Sequence, residues 1–326
     1  MPHVQANGLE LCYETLGDPA DPALLLVMGL GAQLIDWPQE FCEQLAGRGF
    51  FVIRFDNRDA GLSTSRPEWG VPDVRAIVAG DRTTVPYLLA DLAADIAGLL
   101  DALDLPRVHV VGASMGGMIA QQFAIDHPER VASLCSIMST TGERSVGRST
   151  PEAAAVLGRP PAPDRASAVA AAVAAARIVG SPGFPATEEE LIRRAEAKYD
   201  RGYRPLGTLR QYAAIIASPE RTEALREVAV PTVVVHGAAD PLITLSGGQA
   251  TAAAVPGADL VVLDGMGHDL PAALWPRIIA AIASNTERAA AHSQSHCGPD
   301  HPTAAVMNVC AGLIVETRSA ASPPEW

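Results

Sequence analysis

The stretch Val108-His109-Val110-Val111-Gly112-Ala113-Ser114-Met115-Gly116 decides the fold of this chain. Its first four residues have the composition of a buried strand, and a helical stretch, Met118 to Phe123, follows almost directly. The Gly-x-Ser-x-Gly pattern alone arises by chance in about one chain in ten of this length, so the flanking strand and helix carry the prediction. They predict a sharp strand-to-helix turn that presents the Ser114 hydroxyl above a sheet.

Continuous apolar runs, typical of strands covered on both faces of a parallel sheet, recur on both sides of this turn. Helical periods separate them, and this alternation predicts βαβ units with right-handed crossovers in a mostly parallel, doubly wound sheet. We predict strands at Leu9–Leu16, Leu24–Met28, Phe51–Phe55, Val108–Val111, Val131–Met138, Thr232–His236 and Leu260–Leu263. We predict helices at Gln39–Ala46, Pro86–Leu103, Met115–Ile125, Gly248–Ala254 and Pro271–Ala283.

The alternation breaks between about Glu143 and Ala217, where several helical segments follow one another without a strand. We predict residues 143–217 to be a helical cap inserted between two core segments, 1–142 and 218–286. Such an insertion would emerge at the carboxyl edge of the sheet, where ligands bind in open α/β folds. In residues 287–326 the alternation of strand and helix patterns ends, and the sequence becomes rich in Ser, Ala, His and Pro. We predict these residues to be a C-terminal tail.

Composition excludes several other classes of protein. The 326 residues carry 24 basic and 37 acidic side chains, a net charge of −13 without a basic stripe, so we expect no nucleic-acid partner. No apolar stretch reaches the roughly 20 residues of a membrane helix, and the first residues lack the pattern of a signal peptide, so no membrane partner and a cytoplasmic location are expected. Five widely spaced cysteines without a C-x-x-C pair argue against a disulfide framework or a zinc site. No sequence feature sets an oligomeric state.

A serine hydroxyl is a poor nucleophile at neutral pH and needs a base, which in turn needs an acid to orient it. Asp240 comes just after the predicted strand that ends at His236, and His268 comes just after the next strand. Both should therefore lie at the same sheet edge as Ser114. Asp264 also follows a strand and is a competing acid. The alternative for Asp240 is that it only caps a turn, and the alternative for His268 is a loop histidine without a role.

Acyl transfer also needs two N–H groups aimed at the oxyanion. Met115 would supply one through its place after the serine, and Leu30 the other, from the loop Met28-Gly29-Leu30-Gly31. The glycines of that loop have the alternative role of only turning the chain. We predict Gly29 and Trp37 to contact the substrate, although core packing suits Trp37 equally well.

From Leu24 to about Ile282 these residues resemble the α/β-hydrolase superfamily, in the branch with a helical cap. Two departures, Met28 before Gly29 where histidine is usual and Asp59 where glycine is commoner, make the chain similar to the carboxylesterase group that includes the aclacinomycin methylesterases. The resemblance implies hydrolysis of a small to medium, fairly hydrophobic carboxylic ester through an acyl-enzyme, with a small-molecule ester as its partner. It implies no metal or organic cofactor.

Other activities of the superfamily stay open to different degrees. Dehalogenases and epoxide hydrolases carry an aspartate at the position of Ser114, so both are disfavoured. Carbon-carbon bond hydrolases and cofactor-free perhydrolases keep the serine triad, although Asp269 after His268 is not the tryptophan often found in the former. A non-catalytic protein that binds a small ligand on the same scaffold is the alternative of another class.

Overall fold

Eight strands form one sheet in the computed structural model of the protein, which describes residues 1–158 and 161–296. The strands are β1 (His3–Ala6), β2 (Leu9–Leu16), β3 (Ala23–Val27), β4 (Phe51–Phe55), β5 (Val108–Ala113), β6 (Val131–Ile137), β7 (Thr232–Gly237) and β8 (Asp259–Leu263). Their order is β1-β2-β4-β3-β5-β6-β7-β8. The β1–β2 and β2–β4 pairs are antiparallel and the others parallel, which confirms the predicted mostly parallel sheet.

Helices connect the strands and cover both faces of the sheet. They are α1 (Gln39–Ala46), α2 (Val74–Val78), α3 (Leu89–Ala102), α4 (Met115–Asp126), α5 (Pro151–Leu157), α6 (Arg165–Val179), α7 (Glu188–Gly202), α8 (Pro205–Ala217), α9 (Thr222–Leu225), α10 (Leu245–Ala254) and α11 (Trp275–His296). Short 3-10 turns lie at Leu34–Asp36, Pro67–Trp69, Pro128–Arg130 and Ala272–Leu274. Within the described residues, none of the helices combines the length and apolar character needed to cross a membrane.

The alternation of side chains along β3 explains why helices are needed on both faces. Leu25 and Val27 point into a core with α3 and α4, whereas Leu24 and Leu26 point into a second core with α1 and α11. All four side chains are completely buried. A strand in the middle of a doubly covered sheet is therefore apolar at every position, and its carboxyl end leads into the loops that hold the candidate site.

The structure extends some predicted elements and adds others. Strand β1 and the short helix α2 were not predicted. Four helices, α5 to α8, occupy the predicted cap between β6 and β7, and the proposed limits of the cap, 143 and 217, remain a prediction. Helix α7 begins with a capping box, in which Thr187 accepts a hydrogen bond from the Glu190 N–H and the Glu190 carboxylate accepts one from the Thr187 N–H.

The predicted end of the last helix at Ala283 is wrong, because α11 runs on to His296, past residue 287, and the division at 287 stays a prediction. Polar side chains hide this continuation from a search for apolar periodicity. Asn285 is buried and donates to the Leu134 carbonyl oxygen at 3.0 Å, and Thr286 is also buried. The rest of the predicted tail, including Cys297 and Cys310, lies outside the described residues, whereas Cys12, Cys42 and Cys135 are buried free thiols.

A buried ion pair joins the core to the cap at Asp59. This residue has a φ of +66°, in the left-handed region that favours glycine. Its carboxylate accepts hydrogen bonds from Arg210 of α8 at 2.9 Å and from the Tyr87 hydroxyl at 2.7 Å, and both side chains of the ion pair are almost fully buried. The departure from glycine at position 59 therefore supplies the counterion that a buried guanidinium in the cap requires.

Asp59→Gly is expected to lower the free energy of unfolding by about 2 to 4 kcal/mol. Removing one partner of a buried pair costs about 3 to 5 kcal/mol, and relief of the left-handed backbone returns roughly 1 kcal/mol. Urea unfolding of the wild type, Asp59→Gly and Asp59→Gly/Arg210→Met measures the effect, and the double variant should recover part of the loss. Glu223→Gln, which breaks the exposed pair with Arg226, is the matched control and should change stability little. Equal stability of Asp59→Gly and the wild type would contradict the argument.

Candidate active site

Ser114 occupies the turn between β5 and α4 in a strained conformation, with a φ of +57° and a ψ of −122°. The glycines on either side are required by close packing of the backbone. A methyl group at Gly112 would lie 2.1 Å from the Gly116 carbonyl oxygen, and one at Gly116 would lie 2.0 Å from the Val27 carbonyl oxygen. The Gly-x-Ser-x-Gly spacing is thus the condition for a tight turn that places the serine at the carboxyl edge of the sheet.

His268 bridges Ser114 and Asp240, although these residues are far apart in the chain. Its Nε2 lies 2.9 Å from the Ser114 Oγ, and its Nδ1 lies 2.8 Å from the Asp240 Oδ2. An ionised carboxylate can only accept, so the proton of the neutral imidazole resides on Nδ1, and Nε2 accepts from the serine hydroxyl. This geometry allows the histidine to take the serine proton without any rearrangement.

The turn after β7 holds Asp240 in one orientation. Its Oδ1 accepts hydrogen bonds from the N–H groups of Leu242 and Ile243, both at 2.9 Å, which leaves Oδ2 for His268. The side chain is completely buried. The competing acid, Asp264, is exposed to solvent. The structure thus brings Asp240, and not Asp264, to the histidine.

A second histidine, His236, lies beside Asp240. Its Nε2 lies 2.8 Å from the Ile243 carbonyl oxygen and 3.7 Å from the Asp240 Oδ2. Burial lowers the pKa of His236, and the hydrogen bond to Ile243 opposes this shift. His236 therefore supports the turn that carries the acid, as a neutral side chain.

The loop after β3 brings Gly29 against the serine. A methyl group at Gly29 would lie 3.0 Å from the Ser114 Cβ and 3.4 Å from its Oγ. The Met115 N–H belongs to the first turn of α4, where N–H groups have no acceptor within the helix. Within the described residues, the Leu30 N–H donates to no protein acceptor. Met115 directly follows Ser114 in the chain, and Leu30 directly follows Gly29, which lies beside the Ser114 hydroxyl. Both predicted oxyanion donors are therefore next in sequence to a residue at the nucleophile.

Two residues that sequence reasoning missed hold this loop. Asn57 donates to the Met28 carbonyl oxygen at 2.9 Å, and the Gly31 N–H donates to the Gln211 side chain at 2.8 Å. Gln211 belongs to the cap helix α8 and is completely buried. Asn57 lies two residues before Asp59, a position already singled out by the family resemblance, and this nearness could have identified it. Nothing local distinguishes Gln211 from other polar residues of a helix.

Trp37 lies in the core, which is the second of the two roles that the sequence allowed, and not at the substrate. Its side chain is completely buried in the core and stacks on Phe41, with ring centroids 5.7 Å apart. Phe41 in turn makes an edge contact with Trp275 of α11. A substrate-binding role does not fit this burial, and Trp37 instead packs the helices on one face of the sheet. Gly29 remains beside the serine, as described above.

The end of α6 and the connection between α6 and α7, residues 180–187, hold the loop that carries His268. The His268 N–H donates to the Val179 carbonyl oxygen at 2.7 Å, and the Gly267 N–H donates to the Ser181 hydroxyl oxygen at 2.8 Å. The Ser181 hydroxyl itself donates to the Asp269 carboxylate. Val179 and Ser181, both within the predicted cap, thus help to hold the loop that positions the histidine.

A mostly parallel sheet with a serine, a histidine and an aspartate at its carboxyl edge is typical of hydrolases with the α/β-hydrolase fold. The comparison with family models gives the same class. The family model described as alpha/beta hydrolase fold matches residues 22–271. The chain therefore belongs to the α/β-hydrolase fold family.

Particular relatives narrow this assignment. Rhodomycin D methylesterase DauP of Streptomyces sp. (strain C5) is 30% identical over 311 residues, which cover 88% of this chain and 98% of that protein. The 3-oxoadipate enol-lactonase 2 of Acinetobacter baylyi is 28% identical over 75% of this chain and 81% of that protein. A solved hydrolase from Pseudomonas aeruginosa PA01 is 26% identical with a TM-score of 0.65, covering 87% of this chain and 97% of that one. These similarities confirm the resemblance to the carboxylesterase group, and the chain is a carboxylesterase-type hydrolase.

Proposed function

We propose that the protein hydrolyses a carboxylic ester through Ser114, His268 and Asp240. The observation that carries the proposal is the continuous hydrogen-bonded chain from the Ser114 Oγ through both ring nitrogens of His268 to the Asp240 carboxylate, at 2.9 and 2.8 Å. A serine so connected has a base within reach and an acid that fixes the tautomer of the base. The named activities of the relatives support the same reaction class.

The reaction then proceeds in two halves. The Ser114 Oγ forms a bond to the ester carbonyl carbon while its proton passes to the His268 Nε2, and the Leu30 and Met115 N–H groups bind the resulting oxyanion. Collapse breaks the bond to the alcohol, which leaves with the proton from His268. Water, deprotonated by the same nitrogen, attacks the acyl-enzyme; the bond from the acyl carbon to the Ser114 Oγ then breaks, the acid is released, and His268 returns the proton to the serine. Asp240 stabilises the imidazolium in both halves.

The proposed substrate is a small to medium, fairly hydrophobic ester with a small alcohol as its leaving group. Similarity to a methylesterase over 98% of its length supports a methyl ester of a larger carboxylic acid. Similarity to an enol-lactonase supports the same attack on an ester carbonyl, in that case within a ring. The substrate would approach Ser114 past Gly29 and Leu30, where the absence of a Cβ at Gly29 leaves room beside the hydroxyl.

A fluorophosphonate, which phosphonylates activated serines, tests the proposal. The wild type should hydrolyse p-nitrophenyl esters from acetate to decanoate and aromatic methyl esters, and should lose this activity in proportion to a single label on the peptide that contains Ser114. His268→Ala should label far more slowly, because its serine lacks the base. Hydrolysis that persists after complete labelling, or a label on a different serine, would refute the mechanism.

A further inference from the structure

A cavity of about 320 Å³ is lined by residues next in sequence to the acid, Asp240, and the base, His268. The connection between α6 and α7 forms one side of it, and the other side consists of Ala239 and Pro241, which flank Asp240, together with Asp269, which follows His268. Its lining, taken over the described residues, includes neither Ser114 nor the two oxyanion donors. The residues proposed to hold the ester carbonyl therefore do not line this cavity.

Most of the wall is apolar. Side chains of Ile178, Pro182, Pro185 and Leu191 line the cavity, with several alanines between them. A space of this size is at the lower end of the range for small-molecule sites, which combine apolar walls with a few placed polar groups. The wall would therefore favour a short, apolar ligand body.

Asp269 supplies the charged group of this wall. Its carboxylate accepts a hydrogen bond from the Ser181 hydroxyl. Burial raises the pKa of the Asp269 carboxyl, and this hydrogen bond together with the positive charge of Arg194 opposes the shift. In the part of the chain that the structure describes, it forms no ion pair.

Arg177, the second charged residue in the lining of the cavity, already has an ion-pair partner. Arg177 pairs with Glu188 at 3.0 Å, and both side chains are more than half exposed. An anionic ligand would have to displace Glu188 and would also meet the Asp269 carboxylate. A cation, by contrast, would make a direct ion pair with a half-buried carboxylate on which Arg194 acts only from beyond ion-pair distance, and a buried carboxylate gains from such a direct partner.

We propose that this cavity binds a small primary amine with an apolar body. The ammonium group pairs with the Asp269 carboxylate, and the alkyl or cycloalkyl body packs against the two prolines and Leu191. The bound amine touches residues adjacent to both Asp240 and His268. It thereby occupies a second site, independent of the ester carbonyl, whose existence does not depend on the proposed hydrolysis.

Calorimetric titration with cyclohexylamine, which is protonated at about pH 7.5, tests this site against its neutral and anionic analogues, cyclohexanol and cyclohexanecarboxylate. The amine should bind the wild type saturably, and both analogues at least about tenfold more weakly. Lowering the pH should weaken amine binding as the Asp269 carboxyl takes up a proton, beginning at a higher pH than for an ordinary aspartate.

Variants separate the site from its surroundings. Asp269→Asn keeps an acceptor for Ser181 but removes the charge, so it should bind the amine at least about tenfold more weakly. Leu191→Trp, which fills the cavity and retains the carboxylate, should also lose binding. Asp264→Asn, an exposed acid on the same segment, and Ser114→Ala should bind like the wild type. Three results would overturn the proposal: saturable amine binding that is unchanged in both Asp269→Asn and Leu191→Trp, equally tight binding of cyclohexanol, or no saturable binding of the amine. None of these results bears on ester hydrolysis.

Discussion

Ser114→Ala is expected to lower kcat for ester hydrolysis by about 10⁴- to 10⁶-fold, because it removes the atom that forms the acyl-enzyme. The residue lies in a left-handed turn, and alanine adopts this strained conformation no more easily than serine does. The fold should therefore survive, and circular dichroism and thermal unfolding should match the wild type. Initial rates with p-nitrophenyl butyrate, corrected for spontaneous hydrolysis, measure the effect.

The serine and the histidine should act as one unit. The double variant Ser114→Ala/His268→Ala is expected to be no less active than either single variant, since the base has no function once its partner is gone. Ser133→Ala is the matched control, because this buried serine lies on β6 and contacts His109 rather than the candidate site. Activity of Ser114→Ala within tenfold of the wild type, or additive losses in the double variant, would rule out the proposed nucleophile.

Asp240→Asn is expected to lower kcat by about 10⁴-fold, as in other Ser-His-Asp enzymes, with little change in KM. The hydrogen bonds around this side chain explain why an isosteric amide should be so damaging. The N–H groups of Leu242 and Ile243 require an oxygen at the Oδ1 position. The amide nitrogen must then face His268 Nδ1, which becomes the acceptor, and the proton moves to Nε2, where it blocks deprotonation of Ser114.

Asp264→Asn provides the matched control for this prediction. Asp264 follows the same strand as His268 and was the competing acid in the sequence, but it is exposed to solvent. Its replacement should leave kcat and KM within about twofold of the wild type, as is usual for surface substitutions away from special features. A large loss in Asp264→Asn, or a mild one in Asp240→Asn, would mean that the orienting acid is not the one that the structure places beside the histidine.

Strands buried on both faces were the easiest elements to predict. Every residue of Leu24–Val27 meets a helix, so the apolar run is continuous and its limits show in the sequence. Strand β1 escaped prediction because only Ala6 of its four residues is buried, which leaves no periodic signal. The end of α11 was missed for the opposite reason, since Asn285 is polar and yet buried, with its amide donating to two backbone carbonyl oxygens of the core.

The sequence by itself determined the strands that are covered on both faces and the order of the candidate site residues along the chain. Gly112 and Gly116 reflect backbone contacts within the turn around Ser114. The carboxyl ends of parallel strands share one edge of the sheet, so the sequence alone predicted that Asp240 and His268 lie at the same edge as the serine. Contacts between distant segments were decided only by the tertiary structure. Three features depend on how loops and helices cross the sheet edge. They are the contact of His268 with Asp240 and not Asp264, the burial of Trp37, and the hydrogen bond between the Gly31 N–H and Gln211. Local patterns do not encode those crossings, because the partners are tens to hundreds of residues apart and meet only when the whole core packs.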